Sequence, residues 1–261
     1  MIFNDSKFNK TWKIERLDDL GEFSRGKSKH RPRDDIQLFK DGNIPLIQTG
    51  DVTNSNLYIL DHKSCYNDFG LKQSKLWKKG TLCITIAANI AETGILSYPM
   101  CFPDSVVGFT AYKEKTSEIF MHYIFTYIRK SLKETIVGSS IQDNINIEFL
   151  QSLEFRIPSK SDQEKINKLL YSIDRKIENL NIINEELETI AKTIYNYWFI
   201  QLKIPNTKNK IKNLKWNEKL KRQIPENWKV QNLRKNDISE IINSGIKEFN
   251  DKKNYLTTSD I

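Results

Sequence analysis

The sequence predicts an α+β fold: a head of mixed β-sheet and helix, followed by one long α-helix of coiled-coil type. Three observations carry this. Short runs rich in β-branched and aromatic residues alternate with helical stretches up to Pro158. Beyond it, apolar residues recur every seven positions over several heptads. After residue 223 the chain begins its opening pattern again.

In the head, 1–158, candidate strands are 44–49 (IPLIQT), 81–87 (TLCITIA) and 105–112 (SVVGFTAY), bordered by Gly, Pro, Asp or Asn. The run 118–132 (EIFMHYIFTYIRKSL) has apolar residues at helical spacing and basic residues near its end, which predicts a helix.

A spacer helix is expected over 159–203. Ser161 and Glu164 have the form of a capping box, in which each side chain satisfies the other residue's backbone amide. Ile166, Ile173, Leu180, Leu187 and Ile194 then repeat every seven residues. Leu169, Ile183, Ile190 and Tyr197 follow three positions behind, with Ile177 slightly out of phase. A helix of about forty residues spans roughly 60 Å, more than the width of a domain of this size. Its apolar seam therefore calls for a partner helix, in cis or from a second copy of the chain. The alternative is an amphipathic helix folded back on its own domain.

Residues 204–223, rich in Lys and Asn, read as a solvated linker. The chain then repeats itself. Trp12-Lys13-Ile14 with Leu17 is echoed by Trp228-Lys229-Val230 with Leu233, and Leu46 to Val52 by Tyr255 to Ile261. Residues 224–261 are thus expected to be the truncated start of a second head, too short to complete a core like the first.

Of the 261 residues 38 % are hydrophobic and 28 % charged, a globular rather than disordered balance. No apolar run approaches the roughly 20 residues of a membrane span, and the opening MIFNDSKFNKTW lacks a signal pattern. We therefore expect a cytoplasmic protein without membrane contact. Cys65, Cys83 and Cys101 are odd in number and widely spaced, which suits reduced, buried thiols better than disulfides or a zinc cluster. A net charge of +8 favours a polyanionic partner, with nucleic acid and acidic membrane both open on charge alone.

The cations cluster. Arg25, Lys27, Lys29, Arg31 and Arg33 alternate through SRGKSKHRPR, a loop by its Gly26 and Pro32. Such a loop can neutralise phosphates, and an Arg in it can reach guanine; otherwise it is merely a solvated basic loop. Lys72 and Lys75, with Gln73, Ser74, Lys78 and Lys79, form a second basic stretch. Asn89, Ser139, Ser140 and Gln142 offer amides and hydroxyls of the kind that read adenine or hold phosphates, although Gly138-Ser139-Ser140 also suits a tight turn. Asp51 reads as a turn cap. His30, His62 and His122 show neither metal-ligand spacing nor a pairing with Ser or Cys. With no Gly-rich phosphate loop, no G-x-G-x-x-G, no Asn-Pro-Pro-aromatic string and no metal-binding constellation, no catalytic centre is expected. A stand-alone nuclease has nothing to build on.

The order of these features resembles the specificity subunits of type I restriction-modification systems. The resemblance is carried by Trp12 with Leu17 and Gly21, the string from Gly42-x-Ile44-Pro45 to Asp51-Val52, and Gly80. It continues through Gly138-Ser139-Ser140-x-Gln142-x-Asn144-Ile145, Ile157-Pro158, Gln163-Glu164, the helix with Asp174 and Ile177, and the fresh start at Ile224-Pro225 with Trp228. It covers essentially the whole chain. It implies a target-recognition domain that reads one half of a bipartite site in double-stranded DNA, and a helix that acts as a ruler. That helix would dock methyltransferase (modification) subunits and, through them, restriction subunits. It implies a non-catalytic subunit with no cofactor of its own, S-adenosylmethionine, ATP and Mg belonging to the partners. The departure is that the chain ends where a second recognition domain should be building. A truncated assembly or inhibitor protein that sequesters modification subunits through its helix is the alternative.

Overall fold

A computed structural model of the protein describes residues 2–87, 89–138, 147–201, 214–226 and 228–231. The chain divides into two units, Met1–Ile182 and Ile183–Ile261.

The first unit opens with β1 (Lys13–Arg16), α1 (Leu17–Leu20), β2 (Gly21–Arg25), β3 (Ile44–Leu46), α2 (Thr49–Thr53), β4 (Tyr58–Ile59), β5 (Ser64–Tyr66) and α3 (Asp68–Gln73). It continues with β6 (Leu76–Trp77), β7 (Leu82–Thr85), β8 (Thr93–Leu96), β9 (Met100–Cys101), β10 (Val106–Ala111), α4 (Glu118–Gly138), α5 (Ile147–Gln151) and β11 (Glu154–Ile157). The long α6 (Lys160–Tyr195) follows, extended by a π-helical turn, Asn196–Ile200.

The α+β expectation holds. A five-stranded sheet has the order β2-β10-β7-β8-β4, a four-stranded sheet the order β5-β3-β9-β6, and β1 pairs with β11. All four residues of β7 are buried. Leu82 and Ile84 join Phe109, Phe120, Phe125 and Phe155 in one core, while Cys83 joins Trp77, Met100, Phe102 and Val106 in another. The strand is therefore covered on both faces. Each large side chain so buried contributes about 1.5–3 kcal/mol.

Local chemistry trims the expected elements. The strand expected over 44–49 ends at Leu46, because the Asp51 carboxylate accepts the Gln48 amide at 2.8 Å and opens α2. Gly80, with φ +88, makes a turn that side-chain-bearing residues adopt only with strain, and β7 begins two residues later. The run expected to be helical over 118–132 does form a helix, which continues to Gly138.

Two expectations need correction. Helix α6 is capped by Ser159, not Ser161: the Ser159 hydroxyl meets the Asp162 amide at 3.3 Å and donates to its carboxylate at 2.8 Å. The start moves because Gln163 is drawn into the head. There its amide donates to the Lys115 and Pro158 carbonyls (2.8 and 3.1 Å) and accepts from Thr116 Oγ1 (3.0 Å), with only 1 % of the residue exposed. Part of the stretch read as linker is also structured. In the second unit β12 (Leu214–Asn217) pairs with β13 (Arg222–Pro225), and Asn217 accepts the Leu220 amide inside the turn. There Trp228 stacks on Phe199 at 6.5 Å between centroids. The echo at 255–261 lies outside the described residues.

The helix shows two faces. Gln163, Ile166, Asn167, Leu170, Asp174 and Glu178 are buried or half-buried, and Asp174 accepts the Tyr123 hydroxyl at 2.7 Å. The heptad seam lies about 100° round the helix from this stripe, at 100° per residue. Ile166 packs on the head core. Leu169, Ile173, Ile177, Leu180, Ile183, Leu187, Ile190 and Ile194 are instead 41–62 % exposed. Beyond Ile166, which belongs to both, the stripe that docks on the head is thus not the stripe the heptads define.

His122 sits in the first unit with Nδ1 3.0 Å from Thr93 Oγ1. Burial, only partly opposed by the Asp174 carboxylate, pushes its pKa from 6.5 down to about 4. The unfolded chain therefore takes up this proton near pH 6.5, and the folded chain only near pH 4. Between these values the unfolded state binds more protons, so stability present above pH 6.5 is lost on acidification, by roughly 3 kcal/mol in the limit. Urea titrations from pH 7 to 4.5 should show this loss, and His122→Gln should flatten it. An equal slope in the variant would rule this account out.

Candidate nucleic-acid interface

Strand registry gathers the candidate site. Arg25 pairs with Val107 and Thr85 with Val106, so the end of β2, the turn after β7 and the start of β10 share one end of the five-stranded sheet, a rim across the strand ends. The basic loop leaves from there. Its base is clamped: the Gly26 amide donates to the Val106 carbonyl at 2.8 Å, and Lys27 N to Phe102 O at 3.0 Å. The approach is so close that a Cβ on Gly26 would lie 2.3 Å from the Pro103 oxygen. Only glycine fits.

The tip of the loop is tied to the second basic stretch. Gln73 Oε1 accepts the amides of Lys29 (2.7 Å) and His30 (3.1 Å), and the Ser74 hydroxyl donates to the Lys27 carbonyl (2.8 Å). Two cationic runs some forty residues apart in sequence thus become one surface. His30 Nε2 lies 2.8 Å from the Asp35 carboxylate. The Gln37 amide and then His30 hold that carboxyl below the usual range.

The cations are used differently. Arg25 ends β2, paired with Val107. Arg31 turns its guanidinium back onto the Ser28 and His30 carbonyls (2.7 and 2.8 Å), and Arg33 grips both oxygens of Asp104 (2.9 and 3.0 Å). Lys75 lies over the Trp77 ring at 3.6 Å, and that ring stacks on Phe102 at 4.8 Å. Lys27, Lys29 and Lys72 are exposed, as is Lys75. Asn89, also exposed, donates to Thr53 Oγ1 at 3.2 Å. Ser139, Ser140 and Gln142 lie outside the described residues.

Several supports escaped the sequence. Gln73 was counted as part of a basic run, whereas its acceptor oxygen is what fixes the loop. Glu92, bound to Arg129 (2.6 Å) and Lys133 (3.1 Å) of α4, braces the turn that bears Asn89. The expectation that no histidine pairs with cysteine is also corrected: His62 Nε2 lies 3.2 Å from Cys65 Sγ. His62, in the segment between β4 and β5, reaches Cys65 of β5 only once the two strands fix the ends of that segment. Among the described residues no cluster of His, Cys, Asp and Glu could hold a metal ion, and no helix is long and apolar enough to cross a membrane.

An α+β head leading into a long helix is an architecture already seen in solved structures. The S subunit of a type I restriction-modification system from M. genitalium superposes with a TM-score of 0.52 at 17 % identity, over 78 % of this chain and 50 % of that one. The HsdS subunit from Thermoanaerobacter tengcongensis gives 0.52 at 17 %, over 75 % and 46 %. By sequence the chain is 28 % identical over 231 residues to the MjaIX specificity subunit of Methanocaldococcus jannaschii, covering 87 % of this chain and 52 % of that protein. It is 27 % identical over 191 residues to the HindI specificity subunit of Haemophilus influenzae, covering 69 % and 40 %. The chain thus spans about half the length of the curated relatives it matches. The model of the type I restriction modification DNA specificity domain matches residues 9–189, and the chain belongs to that family.

The clamp at Gly26 can be tested. Gly26→Ala forces a methyl group against two backbone carbonyls that cannot yield as a side chain would, and should destabilise the head by about 1–3 kcal/mol. Chemical denaturation of the purified variant checks this; an unchanged midpoint would mean that the loop base is looser than described.

Proposed function

We propose that this chain is a DNA-reading specificity component of a type I restriction-modification complex. The head binds double-stranded DNA on the edge formed by Lys27, Lys29, Lys72 and Lys75 and reads one half of a bipartite site. Arg25, Arg31, Arg33 and Asn89 flank that edge. One observation carries the reading: separate basic runs are joined by Gln73 and Ser74 into a single exposed cationic surface at one end of the sheet. Lysine ammonium groups are point charges suited to phosphates, so this edge supplies affinity and orientation, while base choice falls to neighbouring loop side chains.

The long helix has a separate task. Its seam from Leu169 to Ile194 is an apolar stripe of the kind a second helix covers, and it serves to dock methyltransferase subunits or a second spacer helix. The chain supplies no catalytic group in this scheme. S-adenosylmethionine, ATP and Mg act in the modification and restriction subunits it assembles.

Mixing the purified chain with its cognate modification subunit should direct methylation to one defined DNA sequence. Sequestration of that subunit, with loss of methylation by an intact specificity subunit, would mark an inhibitor instead. Lys27→Gln, Lys29→Gln, Lys72→Gln and Lys75→Gln together should weaken binding to all sequences alike. They should also lower the slope of log affinity against log salt by roughly 0.9 for each phosphate that is no longer neutralised. Unchanged affinity at low salt would remove this edge from the interface.

A further inference from the structure

Away from the basic edge, three side chains form a short relay beside the segment that joins β4 to β5. His62 Nδ1 lies 2.6 Å from the Tyr98 hydroxyl, and His62 Nε2 lies 3.2 Å from Cys65 Sγ. The Tyr98 hydroxyl lies 3.2 Å from the Leu60 carbonyl. That carbonyl can only accept, and the Tyr98 hydroxyl can donate to it. In the tautomer with the imidazole proton on Nδ1, the ring donates to the tyrosine oxygen and Nε2 presents a bare lone pair to the thiol. A nucleophile, a base and a group that orients the base are thus in hydrogen-bond order.

The surroundings favour reaction at this sulfur over the other two. Cys65 and His62 are both partly exposed. His62 also lines an open cavity of about 250 Å³ with Tyr58, Asp61 and Lys63. Burial, with Asp61 and Cys65 nearby, pushes the Tyr98 hydroxyl up and keeps it protonated. Cys83 and Cys101 are buried, and burial pushes their thiols up.

We propose that Cys65 is a modification site for small hydroperoxides, with His62 as its base and Tyr98 as a positioning residue. The sulfur attacks one peroxide oxygen, the O–O bond breaks, and Cys65 becomes a sulfenic acid. The thiol proton passes to His62 Nε2 and on to the departing oxygen, which leaves as water or an alcohol. Sulfur loses two electrons and the peroxide gains them. The site is independent of DNA reading. Its strand β5 leads through Asn67, the cap of α3, toward Lys72.

The test follows iodoacetamide alkylation of the whole chain at pH 7 by peptide mass spectrometry, once folded and once unfolded in guanidinium. Folded Cys65 should react faster than unfolded Cys65, on the order of tenfold, while Cys83 and Cys101 are slowed by folding. His62→Gln should remove the excess, free imidazole should restore part of it, and Tyr98→Phe should lose part of it. Hydrogen peroxide with a 1,3-dione trap should label Cys65 first. Folded Cys65 reacting no faster than unfolded, or an undiminished rate in His62→Gln, would overturn the proposal. Alkylation without peroxide labelling would overturn its substrate class. The folded-to-unfolded comparison uses the unaltered protein and stands even if a variant fails to fold.

Discussion

Strand β7 has no exposed face, and the arrangement of the head follows from that. Its alternate side chains enter two cores, one under α4 and one under the second sheet. A slip of one residue would exchange the contents of the two cores and put Cys83 where Leu82 and Ile84 belong. The register of β10 against β7 and β2 is fixed with it. Because of that register, the end of β2 lies beside the start of β10, and the basic loop emerges where the Val106 and Phe102 carbonyls can hold it.

The junction between head and helix rests on polar contacts. Gln163 is nearly inaccessible, and its amide uses both donor and acceptor capacity on Thr116, Lys115 and Pro158. A buried amide so satisfied costs little, whereas the same group without partners would cost several kcal/mol. With the Tyr123 hydroxyl on Asp174, it sets the rotation of α6 about its own axis. That rotation leaves Leu169, Ile173, Ile177 and Leu180 of the heptad seam turned aside from the head.

Much of this was legible in the residues. Period seven from Ile166 to Ile194 announced the helix and its seam, and the alternating cations from Arg25 to Arg33 announced a basic loop. Other features were hidden for identifiable reasons. Ser161 and Glu164 match a capping box, but Ser159 takes the role because tertiary contacts reach Gln163. Asn and Lys between 206 and 221 suggested only solvation, yet a short hairpin forms where Leu214 to Asn217 meet Arg222 to Pro225. The pairing of His62 with Cys65 depends on the path of a loop that local patterning does not encode.

The sequence alone determined the α+β class, the long amphipathic helix and the positive charge, since each depends on composition or on short-range periodicity. Tertiary structure alone decided that Lys27, Lys29, Lys72 and Lys75 share one surface, that Arg31 and Arg33 are held by their own neighbours, and which side of α6 meets the head. Apart from the local hold on Arg31, those outcomes turn on interactions between residues far apart in the chain, where a single carbonyl or carboxylate at about 3 Å redirects a side chain, and no local pattern specifies which one will be there.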